Sequence, residues 1–147
     1  MKRNITATEF IHEHSLSLTA LGIVVLLIVL YCRSNPNTHL GSFFGNAIAD
    51  WTGVLVTVVM TKHLYEKGST ESKKPRGKWR SMTTEFLREH SLTIVLLVTG
   101  AGWVVAFKAM DPTSRWGQVV RNIVSEWTQI LGLVLMTKRL IEVGSKR

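Results

Sequence analysis

The stretch Ser15–Cys32 reads SLSLTALGIVVLLIVLYC and contains no charged side chain. As a helix that rises about 1.5 Å per residue, it covers roughly 27 Å, close to the thickness of the hydrocarbon core of a bilayer. A second uncharged stretch, Ser91–Phe107, reads SLTIVLLVTGAGWVVAF. The two stretches predict membrane-spanning helices and exclude an ordinary soluble protein, although only 46% of the 147 residues are hydrophobic.

The first of these stretches also has the basic start of a signal peptide, because Lys2 and Arg3 precede it. The residues that follow it, Arg33-Ser-Asn-Pro36, contain no small-x-small cleavage site. We therefore expect a retained helix. Cys32 is the single cysteine, which excludes a module held together by disulfides.

An internal repeat organises the chain. A shift of 76 residues aligns Thr8–Ser69 with Thr84–Ser145 without a gap. Glu13-His14-Ser15-Leu16, for example, matches Glu89-His90-Ser91-Leu92. Asn35-Pro36 and its counterpart Asp111-Pro112 predict the outer turn of each unit, because the residue before a proline is disfavoured in a helix.

The repeat predicts two units, residues 1–69 and 81–147, each a helical hairpin with two crossings. Since two is an even number, both units enter the membrane the same way up, which makes the repeat parallel and not inverted. The predicted fold is therefore all-α, a four-transmembrane-helix bundle built from two parallel-repeat helical hairpins.

The charges predict how this bundle is oriented. The net charge is +8, and 14 of the 18 lysine and arginine residues fall on one side of four crossings. The positive-inside rule then places both termini and the linker, residues 70–80, in the cytoplasm. The basic residues of that linker, which could also bind anionic lipid headgroups, are Lys73, Lys74, Arg76, Lys78 and Arg80. Because topology already explains these charges, nucleic acid is not an expected partner.

Two acidic residues interrupt the second and fourth apolar segments at matching positions, Asp50 and Glu126. Asn46 and Asn122 lie four residues earlier, on the same helix faces. A carboxylate inside a membrane is costly unless it faces protein, water or a partner. The two Asn/acid pairs are thus candidates for a shared polar seam that conducts ions or protons.

A structural interpretation of the same acids stays open. Trp51 and Trp127 directly follow them, as in an aromatic belt, so the acids could simply lie in the outer interface. Arg121 is a further candidate of the seam. It could reach Asp50 as a structural ion pair, or it could act as an electrostatic gate.

Small residues recur at every fourth position of the second crossing, which gives that helix a smooth ridge: Gly41, Gly45, Ala49 and Gly53. Such ridges let helix backbones approach closely. The second unit lacks the ridge, and the sequence leaves open whether it packs within the chain or against another copy.

Catalysis has no support in the sequence. His14 and His90 lie in repeated Glu-His-Ser motifs, but neither HExxH nor CxxC spacing occurs. We expect both histidines to cap the crossings that they precede. The sequence predicts no enzyme, no cofactor and no metal site.

The chain resembles an uncharacterised prokaryotic family of duplicated two-helix membrane proteins. The resemblance rests on Phe-x-x-Glu-His-Ser-Leu at residues 10–16, Trp-x-x-x-Leu at 51–55 and Lys67-Gly-Ser-Thr-Glu-Ser-Lys73. It covers nearly the whole chain, although the outer loops are short and the second unit ends Gly144-Ser145-Lys146-Arg147. The family implies the architecture and the prokaryotic cytoplasmic (inner) membrane; it implies no activity.

Two hypotheses for function follow. In the first, the protein is a small oligomeric conduit for ions or protons, lined by Asp50 and Glu126. In the second, it is a non-transporting helper subunit that uses the glycine ridge to pair with helices and the basic linker to bind lipid. The expected partners are the lipid bilayer and, for the conduit, further copies of the chain.

Overall fold

The chain is all-helical in the residues that the computed structural model describes, 7–67, 82–138 and 140. The predicted linker, residues 70–80 with its basic side chains, lies outside this range. The helices are α1 (Ala7–Glu13), α2 (Ser15–Arg33), α3 (His39–His63), α4 (Met82–Glu89), α5 (Ser91–Ala109) and α6 (Arg115–Met136). Three of these helices, α2, α3 and α5, are long and apolar enough to cross a membrane. The prediction of a membrane protein is thus supported, and α6 is the predicted crossing that is not among the three.

The outer turns lie where proline predicted them, between α2 and α3 and between α5 and α6. Thr38 caps α3, and its hydroxyl accepts a hydrogen bond from the backbone N–H of Gly41 at 3.1 Å. Ser114 caps α6 in the same way through the N–H of Gly117 at 3.0 Å. These bonds satisfy backbone donors that the first turn of a helix leaves without a partner.

Helices α3 and α6 lie side by side at the centre of the molecule, with α2 packed against α3 and α5 packed against α6. The core residues are mostly from these contacts: Tyr31, Ile48, Ala49, Leu92, Leu96, Val119, Ile123, Trp127 and Val134. Trp127 is buried, and its indole N–H donates to the hydroxyl of Thr99 on α5 at 2.9 Å. Its place in the core corrects the interpretation of this residue as part of an aromatic belt.

The outward faces of α2 and α5 are covered with exposed aliphatic side chains: Leu21, Val25, Leu26, Val29, Leu97, Val98, Val104 and Val105. A water-soluble monomer rarely exposes so continuous an apolar surface. Lipid tails suit such a surface, in agreement with the membrane-spanning length of both helices.

Candidate functional site

The contact between α3 and α6 brings together four of the five residues that the sequence assigns to a polar seam. The amide of Asn122 donates to the side-chain oxygen of Asn46 at 2.5 Å. One turn further on, Asp50 and Glu126 are neighbours across the same contact, and both line one cleft. The residues of each pair are 76 positions apart, so α3 and α6 run parallel where they meet.

The carboxyl group of Glu126 has two close neighbours, the small Gly53 and the polar Gln129. A Cβ added to Gly53 would lie 3.2 Å from a carboxyl oxygen of Glu126, so the glycine leaves the room that this side chain occupies. The amide of Gln129 donates to the other carboxyl oxygen at 3.3 Å. Gly53 and Gln129 are themselves equivalent positions of the repeat.

The acid pair opens into a cleft of ≈ 320 Å³ between α3 and α6. The lining comprises Asp50, Gly53, Val54, Thr57, Val58, Glu126, Gln129, Ile130 and Leu133. The end beside the carboxyl groups is polar, and the part that continues towards the ends of α3 and α6 is largely apolar. The cleft is therefore a polar pocket with an apolar extension towards the C-terminal ends of α3 and α6.

Arg121, the fifth predicted seam residue, is exposed on α6. Among the hydrogen bonds and ion pairs of the described residues, none joins its guanidinium group to Asp50 of the same chain. The intramolecular ion pair considered from the sequence is thus not formed in this structure.

The glycine ridge of α3 faces elements of its own chain. An added Cβ would approach a backbone oxygen of Asn35 at Gly41, and the ring of Tyr31 at Gly45. Ala49 is completely buried, and Gly53 faces Glu126. In this structure the ridge therefore packs against residues of its own chain.

A second polar cluster, which the sequence interpretation missed, surrounds Glu66 directly after α3. The Glu66 carboxyl is fully buried, lies 2.6 Å from Nδ1 of His90, and forms an ion pair with Lys138. The backbone N–H of Thr93 donates to its other oxygen at 3.1 Å. Burial alone would raise the pKa of Glu66, but the hydrogen bonds from Lys138, Thr93 and His90 outweigh burial and hold it below its usual range.

This cluster also corrects the expected role of the histidines. His14 and His90 occupy the cap positions of α2 and α5, yet neither side chain makes a capping hydrogen bond. The start of α5 is capped instead by the segment after α3, through Glu66 and through the carbonyl of Tyr65, which accepts from the N–H of Leu92 at 3.1 Å. The repeated Lys-x-x-x-Glu spacing at residues 62–66 and 138–142 was the available signal.

A third set of contacts, which no sequence motif predicted, joins the end of α2 to the start of α6. The guanidinium of Arg115 donates to the carbonyl oxygens of Tyr31 at 2.9 Å, Cys32 at 3.0 Å and Ser34 at 3.1 Å. The hydroxyl of Tyr31 donates in return to the carbonyl of Arg115 at 2.8 Å. The start of α6 thereby caps the end of α2 and ties the two units together.

The fold and these contacts define a helical protein with three candidate membrane-spanning helices and polar groups on its central helix pair. Comparison with known proteins found no matching family model, no matching curated protein and no matching solved structure.

Proposed function

We propose that the protein crosses a prokaryotic inner membrane four times, with both termini in the cytoplasm, and that Asp50 and Glu126 line an oligomeric conduit for ions or protons. The architecture is the one implied by the resemblance to duplicated two-helix membrane proteins. The proposal assigns the chain no catalysis, cofactor or metal.

The packing of α6 supports the fourth crossing. Its 22 residues extend over about 33 Å, enough to span a bilayer core. It runs parallel to α3 and contacts it at Asn46 and again at Asp50. A helix that packs along a membrane-spanning partner lies at the same depth, and its polar residues are tolerated where they face protein or water.

The position of the acids along their helices supports an intramembrane site over an interfacial one. Asp50 is the twelfth of 25 residues in α3, and Glu126 is the twelfth of 22 in α6. Each carboxyl therefore lies roughly 15–20 Å from both ends of its helix. These two neighbouring acids, near the middle of both helices and lining one cleft, are the observation that carries the proposal.

The chemistry of the pair suits proton or cation transfer. A carboxyl group can donate or accept a proton and can bind a cation through its oxygens, and two such groups line one cleft here. The adjoining cleft of ≈ 320 Å³ has room for roughly ten water molecules. Water in the cleft would carry protons or hydrated cations to the pair.

The helper-subunit alternative is less well supported, because it needs an accessible glycine ridge. Gly45 packs on Tyr31 and Gly53 on Glu126, so a partner helix would have to displace contacts within the chain. We therefore propose the conduit as the function.

Flux measurements on reconstituted protein test the proposal. Purified protein in liposomes should conduct protons or monovalent cations above the level of empty liposomes. The double variant Asp50→Asn/Glu126→Gln should lose this flux to background, because neither side chain can then exchange a proton or carry a charge.

A matched control is Glu85→Gln/Asp111→Asn, which neutralises one Glu and one Asp at exposed positions outside α3 and α6. It should conduct like the wild type when equal amounts are reconstituted. Wild-type protein without flux, or undiminished flux in the Asp50/Glu126 variant, would contradict the proposed conduit.

A further inference from the structure

One surface of the molecule, on α3 and α6, carries exposed polar side chains at a depth that the proposed function places inside the membrane. On α6 the exposed polar residues recur every three or four positions and so form a stripe that points away from the core. Asn46 and Asp50 are exposed on the neighbouring edge of α3. We call this surface the polar face, and its residues are Asn46, Asp50, Arg121, Ser125, Thr128 and Gln129.

The polar face contrasts with the remaining outer surface. The outward sides of α2 and α5 are aliphatic and suit lipid. The polar face includes Arg121 and Asp50, and its residues explain why α6 is not among the helices apolar enough to cross a membrane by composition. Hydrocarbon is a poor environment for a guanidinium or a carboxyl group, so something other than lipid must cover this face.

The charges on the polar face favour one occupant. It carries a cation, Arg121, on α6 and an anion, Asp50, on the neighbouring edge of α3. Two copies related by a two-fold axis along the membrane normal would place the cationic edge of each face against the anionic edge of the other. Arg121 lies five residues before Glu126, the residue beside Asp50, and is therefore about 7.5 Å from it along the helix axis. An extended arginine side chain covers most of that distance.

We infer that a second copy of the chain covers the polar face and that Arg121 of each copy pairs with Asp50 of the other. The arrangement accounts for the absence of an ion pair between these residues within the described part of one chain. It also encloses the open clefts of both copies between two pairs of helices. The inference rests on the proposed function, because it uses the depth that the function assigns to α3 and α6.

Cysteine cross-linking in membranes tests the dimer without any measurement of flux. In a Cys32→Ser background, Ser125→Cys places one thiol at the centre of the polar face, and Val98→Cys places one on the exposed aliphatic side of α5. Oxidation should convert the Ser125→Cys protein to a covalent dimer and leave the Val98→Cys protein monomeric. Equal cross-linking at both positions, or none at residue 125, would overturn the inference.

Charge exchange in the Ser125→Cys background tests the ion pair. Asp50→Arg and Arg121→Asp should each reduce cross-linking to the level of the Val98→Cys control, because each brings like charges together. The double variant Asp50→Arg/Arg121→Asp should restore it. Loss of cross-linking in all three would overturn the pairing of these two residues.

The two proposals fail separately. If the protein cross-links through residue 125 but conducts no ions, the conduit is refuted and the dimer interface is still supported. If the protein conducts ions but does not cross-link at that residue, the dimer interface is refuted and the conduit is still supported.

Discussion

The two units have matching helices, but within the described residues the contacts at the ends of these helices differ. Helices α2 and α5 each have 19 residues, and their bounds differ by the 76 residues of the repeat. Where α3 and α6 end, Lys138 forms an ion pair with the buried Glu66, whereas its equivalent Lys62 lies exposed, with Nζ 3.1 Å from Nδ1 of His14. Glu142, the equivalent of Glu66, lies outside the described residues. At the outer end, Arg115 binds three carbonyl groups, whereas its equivalent His39 is exposed.

The difference separates two kinds of residue. Those that close each hairpin, such as the cap and glycine at the start of α3 and α6, behave alike in both units. Those that join one unit to the other, such as Lys138 and Arg115, have equivalents that make no matching contact within the described residues. Each of the following predictions tests one side of this distinction.

The largest effect is expected where the units are alike. A Cβ at Gly41 would lie 1.9 Å from the carbonyl oxygen of Asn35, and a Cβ at Gly117 would lie 2.1 Å from that of Asp111. The backbone must shift to accept either side chain, so Gly41→Ala and Gly117→Ala should each lower the free energy of unfolding by about 3 kcal/mol. Denaturant titration in detergent measures both.

Gly22→Ala and Gly102→Ala are the matched controls, because an added Cβ meets nothing within 4 Å at either position. They should leave stability unchanged or raise it slightly, since alanine favours helix. A large loss at only one of Gly41 and Gly117 would show that the two outer turns are not equivalent.

The next effect is expected where the units differ. Lys138→Gln removes the cationic partner of a fully buried carboxyl group and should cost about 2–3 kcal/mol of unfolding free energy. Lys62→Gln removes exposed contacts with the ring of His14 and the carbonyl of Glu13 and should cost less than about 0.5 kcal/mol. Equal losses in the two variants would contradict the asymmetry of the inner ends.

The pH dependence of stability sharpens the same contrast. Because the folded pKa of Glu66 is lowered from its ordinary value of 4.5, the stability that Glu66 contributes is present above that value. It is lost as the pH falls through the lowered folded pKa. Wild type and Lys62→Gln should therefore both weaken below pH 4.5, and Glu66→Gln should lose this part of the acid response when unfolding is measured from pH 7 to pH 3.

The sequence predicted what depends on local pattern or on the repeat. Uncharged runs predict α2 and α5, and proline predicts the outer turns. Because the units repeat, the sequence predicted that the Asn/acid pair of each unit, Asn46 with Asp50 and Asn122 with Glu126, contributes to one polar seam. It did not predict which residue contacts which across the units. The structure brings both pairs together.

The remaining contacts depend on the tertiary arrangement. Glu66 meets His90 and Lys138 only because the segment after α3 crosses to the start of the next unit's long helix. Trp127 contacts Thr99 because of the way α6 is rotated about its own axis. The acidic residue that precedes Trp127 in the sequence does not indicate this rotation. The ridge is occupied by Tyr31 and Glu126, and no pattern within α3 specifies which helix would fill it.

The smallest effect is expected at the outer end, with Arg115→Gln. The shorter amide cannot serve the three carbonyl groups at the end of α2, so the variant should lose about 1–2 kcal/mol of unfolding free energy. His39→Gln, at the equivalent and exposed position, should change it by less than about 0.5 kcal/mol, as is usual for surface substitutions.

Tyr31→Phe, which leaves the Arg115 carbonyl without its hydroxyl donor, should cost about 1 kcal/mol. Because Tyr31 and Arg115 contact each other, the double variant should lose less than the sum of the single losses. Additive losses would mean that the hydrogen bond of Tyr31 and those of Arg115 stabilise the protein independently of each other.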